Sequence, residues 1–140
     1  MSRIDSDLGP LTWNAELDWW EGTIRLSSPE LFRLYVFARS TPEQTITNDA
    51  HSAIRCLRTL EDSCRRYAAT ELLAVHNEEW AENGPIKDDE FMRRLVPDSL
   101  VIHESGYAEL HFGDGDLFWG HGVGVRIRPD GSFQEAVVEG

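Results

Sequence analysis

His121 is the side chain whose type and position most invite chemistry. It lies in the stretch from Asp114 to Arg128, where Leu117, Trp119, His121, Val123, Val125 and Ile127 share one side of a period-two alternation. Alternation of this length predicts a half-buried strand. An imidazole in an apolar row is either satisfied by neighbouring polar groups or placed for proton transfer. A carboxylate of the right kind comes from the helical segment that ends near Trp80. Glu71 falls within that segment's apolar sector, and a buried carboxylate is costly unless paired. The expectation is that Glu71 and His121 meet between helix and sheet. They would either pin the two together or form an acid/base couple, with Asp116 as a further acid.

Hairpin arithmetic separates the other histidines from this site. Asp114-Gly115 spells a two-residue loop. It sets Leu110 opposite Trp119 and Ala108 opposite His121, which leaves His111 on the other face with Glu109 and Phe118. His111 and His121 then share no metal, His103 pairs with neither, and the spacing matches no usual zinc motif. The acids of Asp114-Gly115-Asp116 are followed by apolar residues, unlike a calcium loop. No metal and no cofactor is expected. Nucleophile elbows, Walker-type loops, paired C-x-x-C and H-E-x-x-H are all missing from the sequence.

Gly120, Gly122 and Gly124 leave one side of the same strand without side chains. Glycine inside a strand marks a bulge or a close approach. Either another part of the chain packs there, or a partner does. In the second case Phe118, Trp119, Gly120, Gly122 and Gly124 form the binding surface, with Phe118 exposed alongside.

The elements that must position these residues follow from periodicity and turn chemistry. Leu11 to Ser27 reads as a β-hairpin or bent meander, and Leu31 to Ala38 as a central strand with Phe32, Leu34, Val36 and Ala38 on its apolar face. Residues 39–47 form a polar connection. Helix starts at Thr47 or Asn48, either a plausible N-cap, and its pattern runs to about Trp80. A helix of that length overshoots a domain of this size, so a break is expected near Glu61 to Ser63. Arg55, Arg58, Arg65 and Arg66 form its solvated stripe. A short helix from Asp88 to Leu95 has acids first and arginines last, matching the helix dipole. Strands follow at Leu100 to Glu104, Tyr107 to Phe112 and Phe133 to Val138. The fold class is α+β: an antiparallel sheet of six to seven strands, built from an N-terminal meander, two to three helices and a C-terminal meander. The long helix packs on one face. The 140 residues make a single domain, with residues 1–10 as an N-terminal extension.

A net charge of −12 argues against nucleic acid and against anionic membrane surfaces, and it favours a basic protein partner. No apolar run approaches the roughly 20 residues that span a bilayer, and the first residues lack a signal-peptide pattern, so the expected location is the cytoplasm. Cys56 and Cys64 lie about 12 Å apart along a continuous helix, too far for a disulfide.

Three strings carry a resemblance. Leu17-Asp18-Trp19-Trp20-Glu21-Gly22, Ala69-Thr70-Glu71-Leu72-Leu73 and Gly113-Asp114-Gly115-Asp116-Leu117-Phe118-Trp119-Gly120-His121 resemble a bacterial family classed as a domain of unknown function. The likeness runs from about Leu11 to Gly140, and the segment from Arg39 to Asn48 is less acidic than that family leads one to expect. The resemblance implies no established activity or cofactor. It does imply a setting alongside small immunity-type proteins, with Glu71, Asp116, Trp119 and His121 as the residues of interest.

Two functions follow. The leading one is a non-enzymatic cytosolic binding protein, an immunity-type or regulatory partner of another protein. The alternative is a small hydrolase-like enzyme using His121 with Glu71 or Asp116. A homodimer through the bare strand face is a further expectation.

Overall fold

A computed structural model of the chain describes residues 1–39 and 42–139. Ser40 and Thr41, within the expected polar connection, and Gly140, at the end of the family resemblance, lie outside the described residues.

Eight strands form one sheet in sequence order. They are β1 (Ser2–Asp5), β2 (Gly9–Asn14), β3 (Trp19–Arg25), β4 (Leu31–Phe37), β5 (Val96–Ile102), β6 (Ala108–Gly113), β7 (Val123–Ile127) and β8 (Phe133–Val138). The count exceeds the six to seven expected because part of the supposed N-terminal extension pairs with β2, Ser2 opposite Thr12 and Asp5 opposite Gly9. Neighbours are antiparallel except β4 and β5, which run parallel with Arg33 opposite Ser99 and Val36 opposite Ile102. A sheet antiparallel throughout was expected. The intervening helices carry the chain back to the end where β4 began, so β5 starts in the same direction.

Those helices are α1 (Asn48–Leu57), α2 (Glu61–Val75) continued by a π-helical turn (His76–Trp80), and α3 (Asp88–Arg94). The Thr47 side chain caps α1 by accepting from the Ala50 amide at 3.1 Å. The break falls at Arg58 to Leu60, slightly ahead of the expected place. Here the Thr59 and Leu60 amides close tight turns on Cys56 and Leu57. What anchors the restart is Glu61, wholly buried, which accepts from the Ser28 amide and hydroxyl, both at 3.1 Å, and from Arg65 at 3.2 Å. The turn resets the helical phase, so Glu61 and Arg65 point inward with Cys64, Ala68 and Leu72. Arg65 is therefore no part of a solvated stripe. Its guanidinium donates to the Met92 and Leu95 carbonyls at 3.1 and 2.6 Å and lies over the Phe112 ring. Arg55, Arg58 and Arg66 are exposed as expected.

One core lies between the helices and a single sheet face. Phe32, Leu34 and Val36 of β4 alternate into it, as do Ala108, Leu110 and Phe112 of β6. The opposite face carries Trp19, Tyr35, Phe37, His103, Glu109 and His111, all partly exposed. Both cysteines are free. Burial pushes the Cys64 thiol up to about 12. Among the described residues, no helix is long and apolar enough to cross a membrane.

Candidate functional site

The expected long strand through His121 does not form. β6 ends at Gly113 and β7 begins at Val123, with Phe112 opposite Val123 and Ala108 opposite Ile127. A loop from Asp114 to Gly122 replaces the two-residue hairpin, and one side chain organises it. The Asp114 carboxylate, 6% exposed, accepts from the amides of Asp116 at 3.2 Å, Phe118 at 2.8 Å and Gly120 at 2.9 Å. An aspartate that captures successive amides competes directly with ladder hydrogen bonding. The loop then takes left-handed backbone at Gly115, Asp116, Trp119 and Gly120. Gly115 is obligatory, because a Cβ there would stand 2.2 Å from the Arg94 carbonyl oxygen.

This backbone reverses the expected order of the two aromatic residues. Phe118 is wholly buried, edge-on to His76, Trp80 and Phe91 at ring separations of 5.9, 5.6 and 6.0 Å. Trp119 is 59% exposed. Its indole N–H donates to the Trp80 carbonyl at 3.1 Å, and the two rings meet at 4.7 Å. Its φ of +56° is strained for a bulky residue.

The remaining expected site residues fall in separate surroundings. His121 is exposed, not buried. Its Nδ1–H donates to the Glu139 carbonyl at 3.1 Å, and its ring lies 5.8 Å from that of Trp80. Glu71 is also exposed, turned outward by the phase reset at the start of α2. Its neighbour is Tyr67, whose phenol is raised by burial and by the Glu71 carboxylate. No ion pair joins Glu71 to His121 among the described residues, so the expected helix-to-sheet couple is not assembled. Asp116 is exposed in a different cleft, beside Trp119.

Gly120 and Gly122 border a groove of about 570 Å³ on the helix-free side of the sheet, together with Trp19, Tyr35, Ser99 and His121, whereas Gly124 does not line it. At Gly124 the chain itself fills the space that a side chain would take. A Cβ there would meet the Glu139 carboxylate at 3.1 Å and His111 Nδ1 at 3.3 Å. His111 Nδ1–H donates to Glu139 at 2.7 Å. Its Nε2 stands 4.0 Å from Glu109, which also lies 3.6 Å from His103 and 3.4 Å from Arg126. His111 and Glu109 do share this outer face, as the alternation predicts. Phe118 does not join them. The row sets the His111 imidazole between two carboxylates, Glu139 and Glu109.

One group of potential metal ligands occurs among the described residues: Asp5, Asp7 and His51, with ligand atoms within 4.8 Å of one another. Each is already engaged. His51 donates to Asp5 at 2.8 Å, Asp7 pairs with Arg55 at 2.9 Å, and Asp5 also accepts from the Asp7 and Leu8 amides.

On the other side of the Asp114 loop lies a cleft of about 810 Å³, between the π-helical turn, residues 81–86, α3 and the loop. Asp116 and Trp119 enter it from the loop, His76 and Trp80 from the turn, and Glu90 and Arg94 from α3. π-helical turns recur at functional sites because they re-aim side chains. The organising role of Asp114 and the inward turn of His76 escaped the sequence reading. An aspartate followed by glycine and a run of free amides was the available signal for the first; nothing in helical periodicity announces the second. No curated protein and no solved structure matches the chain. A family model matches residues 5–138, and the chain belongs to that family, described as "Uncharacterized protein conserved in bacteria (DUF2262)".

Proposed function

We propose that this protein is a non-enzymatic binding protein that docks another protein through its Asp114–Gly122 loop, with Trp119 as the anchor. The observation that carries the proposal is the exposed indole held at positive φ by a buried carboxylate. The Trp80 contacts engage one edge and face of the indole yet leave it 59% exposed at a strained φ, and tryptophan is enriched among residues that dominate interfaces. Gly120, His121 and Gly122 belong to the same loop and extend the surface toward the outer groove. Phe118 supports it from beneath instead of touching a partner. The net charge of −12 favours a basic partner by steering. An immunity-type or regulatory role is the finer form of this reading. The free thiols of Cys56 and Cys64 suit the reducing cytoplasm.

The hydrolase alternative loses its constellation, since His121, Glu71 and Asp116 face different surroundings. The docking reading is tested by capture from native bacterial lysate with mass spectrometry, comparing wild type with Trp119→Ala. The expected result is one basic protein retained by wild type and reduced about tenfold or more by Trp119→Ala, the scale of a hot-spot residue. Equal retention by both, or a wild type that stays free at every salt concentration, sinks the proposal.

A further inference from the structure

The cleft beside Trp119 has a composition of its own. Its aromatic wall is the Trp80–Trp119 pair, inclined at 65°. Three carboxylates line it, from Glu82, Glu90 and Asp116, against one guanidinium, from Arg94. That guanidinium is already committed. It donates to the Gly115 carbonyl at 3.0 and 2.7 Å and pairs with Glu90 at 3.5 Å. The space is therefore negative and aromatic.

His76 adds an observation independent of the acids. It is 4% exposed, and its tautomer follows from its neighbours. The Ile86 amide donates to Asn77 Oδ1 at 3.0 Å, and Asn77 Nδ2 donates to the Ile86 carbonyl at 3.0 Å, which fixes the orientation of the Asn77 amide. Oδ1 can only accept, so the contact at 2.9 Å requires His76 Nδ1 to carry the proton. In the neutral ring Nε2 is then an acceptor. No partner to it exists among the described residues. Nor is it sealed in, because no buried side-chain polar atom there lacks a partner. His76 lines the cleft, and Nε2 is its one ring nitrogen without a partner among the described residues.

We infer that this cleft receives the cationic head of a basic side chain, a guanidinium or ammonium, presented by the docked protein. The inference rests on the docking role of the Trp119 loop and specifies what sits next to it. An organic cation is attracted to the indole faces, forms charge-assisted hydrogen bonds to Asp116 and Glu90, and offers an N–H to the free His76 nitrogen. Anionic ligands meet three carboxylates here. A bare metal ion finds no cluster of three closely spaced ligand atoms among the described cleft residues.

The test uses the full chain with acetyl-arginine amide, and acetyl-citrulline amide as its neutral isostere. NMR follows the indole N–H signals of Trp80 and Trp119 and the ring nitrogens of His76. The expected result is a saturable shift of both indoles with the arginine probe only, and His76 as the Nδ1–H tautomer in the free protein. Asp116→Asn should weaken binding by about tenfold, the effect of one lost hydrogen bond to a charged group. Asparagine tolerates the left-handed backbone at this exposed position, so the variant folds. Equal shifts with citrulline, no saturable shift with either probe, an Nε2–H tautomer, or undiminished binding to Asp116→Asn would each overturn the inference. None of these results touches the Trp119 dependence of partner capture, so the docking role stands or falls separately.

Discussion

The Asp114 carboxylate accepts the Phe118 amide at 2.8 Å, and that contact decides which of two adjacent aromatic rings enters the core. With the amides of Asp116 and Gly120 drawn to the same carboxylate, the chain cannot continue as a pleated strand. Phe118 then turns in and Trp119 turns out.

Replacing Asp114 by alanine leaves three loop amides without their acceptor. At about 1–3 kcal/mol for each buried donor left unpaired, and with partial rescue by water, Asp114→Ala should cost about 2–4 kcal/mol. Urea denaturation measures it. A loss below about 1 kcal/mol contradicts the organising role.

Phe118 and Trp119 should behave oppositely. Phe118→Ala removes a wholly buried ring and should cost about 3–5 kcal/mol. Trp119→Gly relieves a positive-φ strain of about 1 kcal/mol but loses a hydrogen bond and a ring contact with Trp80 of about 1 kcal/mol each, so the net cost should stay below about 2 kcal/mol. Thermal melts of the two variants suffice for the comparison.

Asp5 makes stability depend on acid. Burial alone would raise its carboxyl, but the hydrogen bond from His51 and the amides of Asp7 and Leu8 outweigh that and hold it below its ordinary 3.8. A depressed folded value means that the stabilisation is fully present above about pH 4 and is lost as pH falls through the folded value. Wild type should therefore exceed Asp5→Asn in urea midpoint at pH 6, with the gap closing below pH 3.8. A gap that widens on acidification contradicts the assignment.

The two thiols should differ in reactivity. Cys64 is wholly buried, with its thiol pushed up to about 12, whereas Cys56 is only half-buried. The thiolate is the reactive species. Iodoacetamide followed by mass spectrometry should label Cys56 first and Cys64 only after unfolding.

Much of the scaffold was legible in the residues. The alternation of Phe32, Leu34 and Val36, the Thr47 cap and the charge order of Asp88 to Arg94 are local signals, and local physics decides them. His111 lies with Glu109 on the outer face because alternation survives throughout β6. The loop did not read correctly because Asp114-Gly115 has the spelling of a tight hairpin, and only the burial of the Asp114 carboxylate turns it into a larger one. Glu71 misled for a related reason. Its apolar sector carried one helical phase across the expected break, but Ser28, far away in sequence, holds Glu61 and starts α2 at a new angle. The parallel pairing of β4 with β5 was beyond local signals altogether, since it depends on where three helices return the chain.

That single parallel seam also sets an order of assembly. Strands β1 to β4 and β5 to β8 are two runs of hairpins, each able to zip from its own turns. Joining them must wait for the whole helical crossover to fold back, because Arg33 meets Ser99 only then. Each hairpin run closes through short-range contacts, whereas the seam that makes them one body carries the larger loop-closure cost.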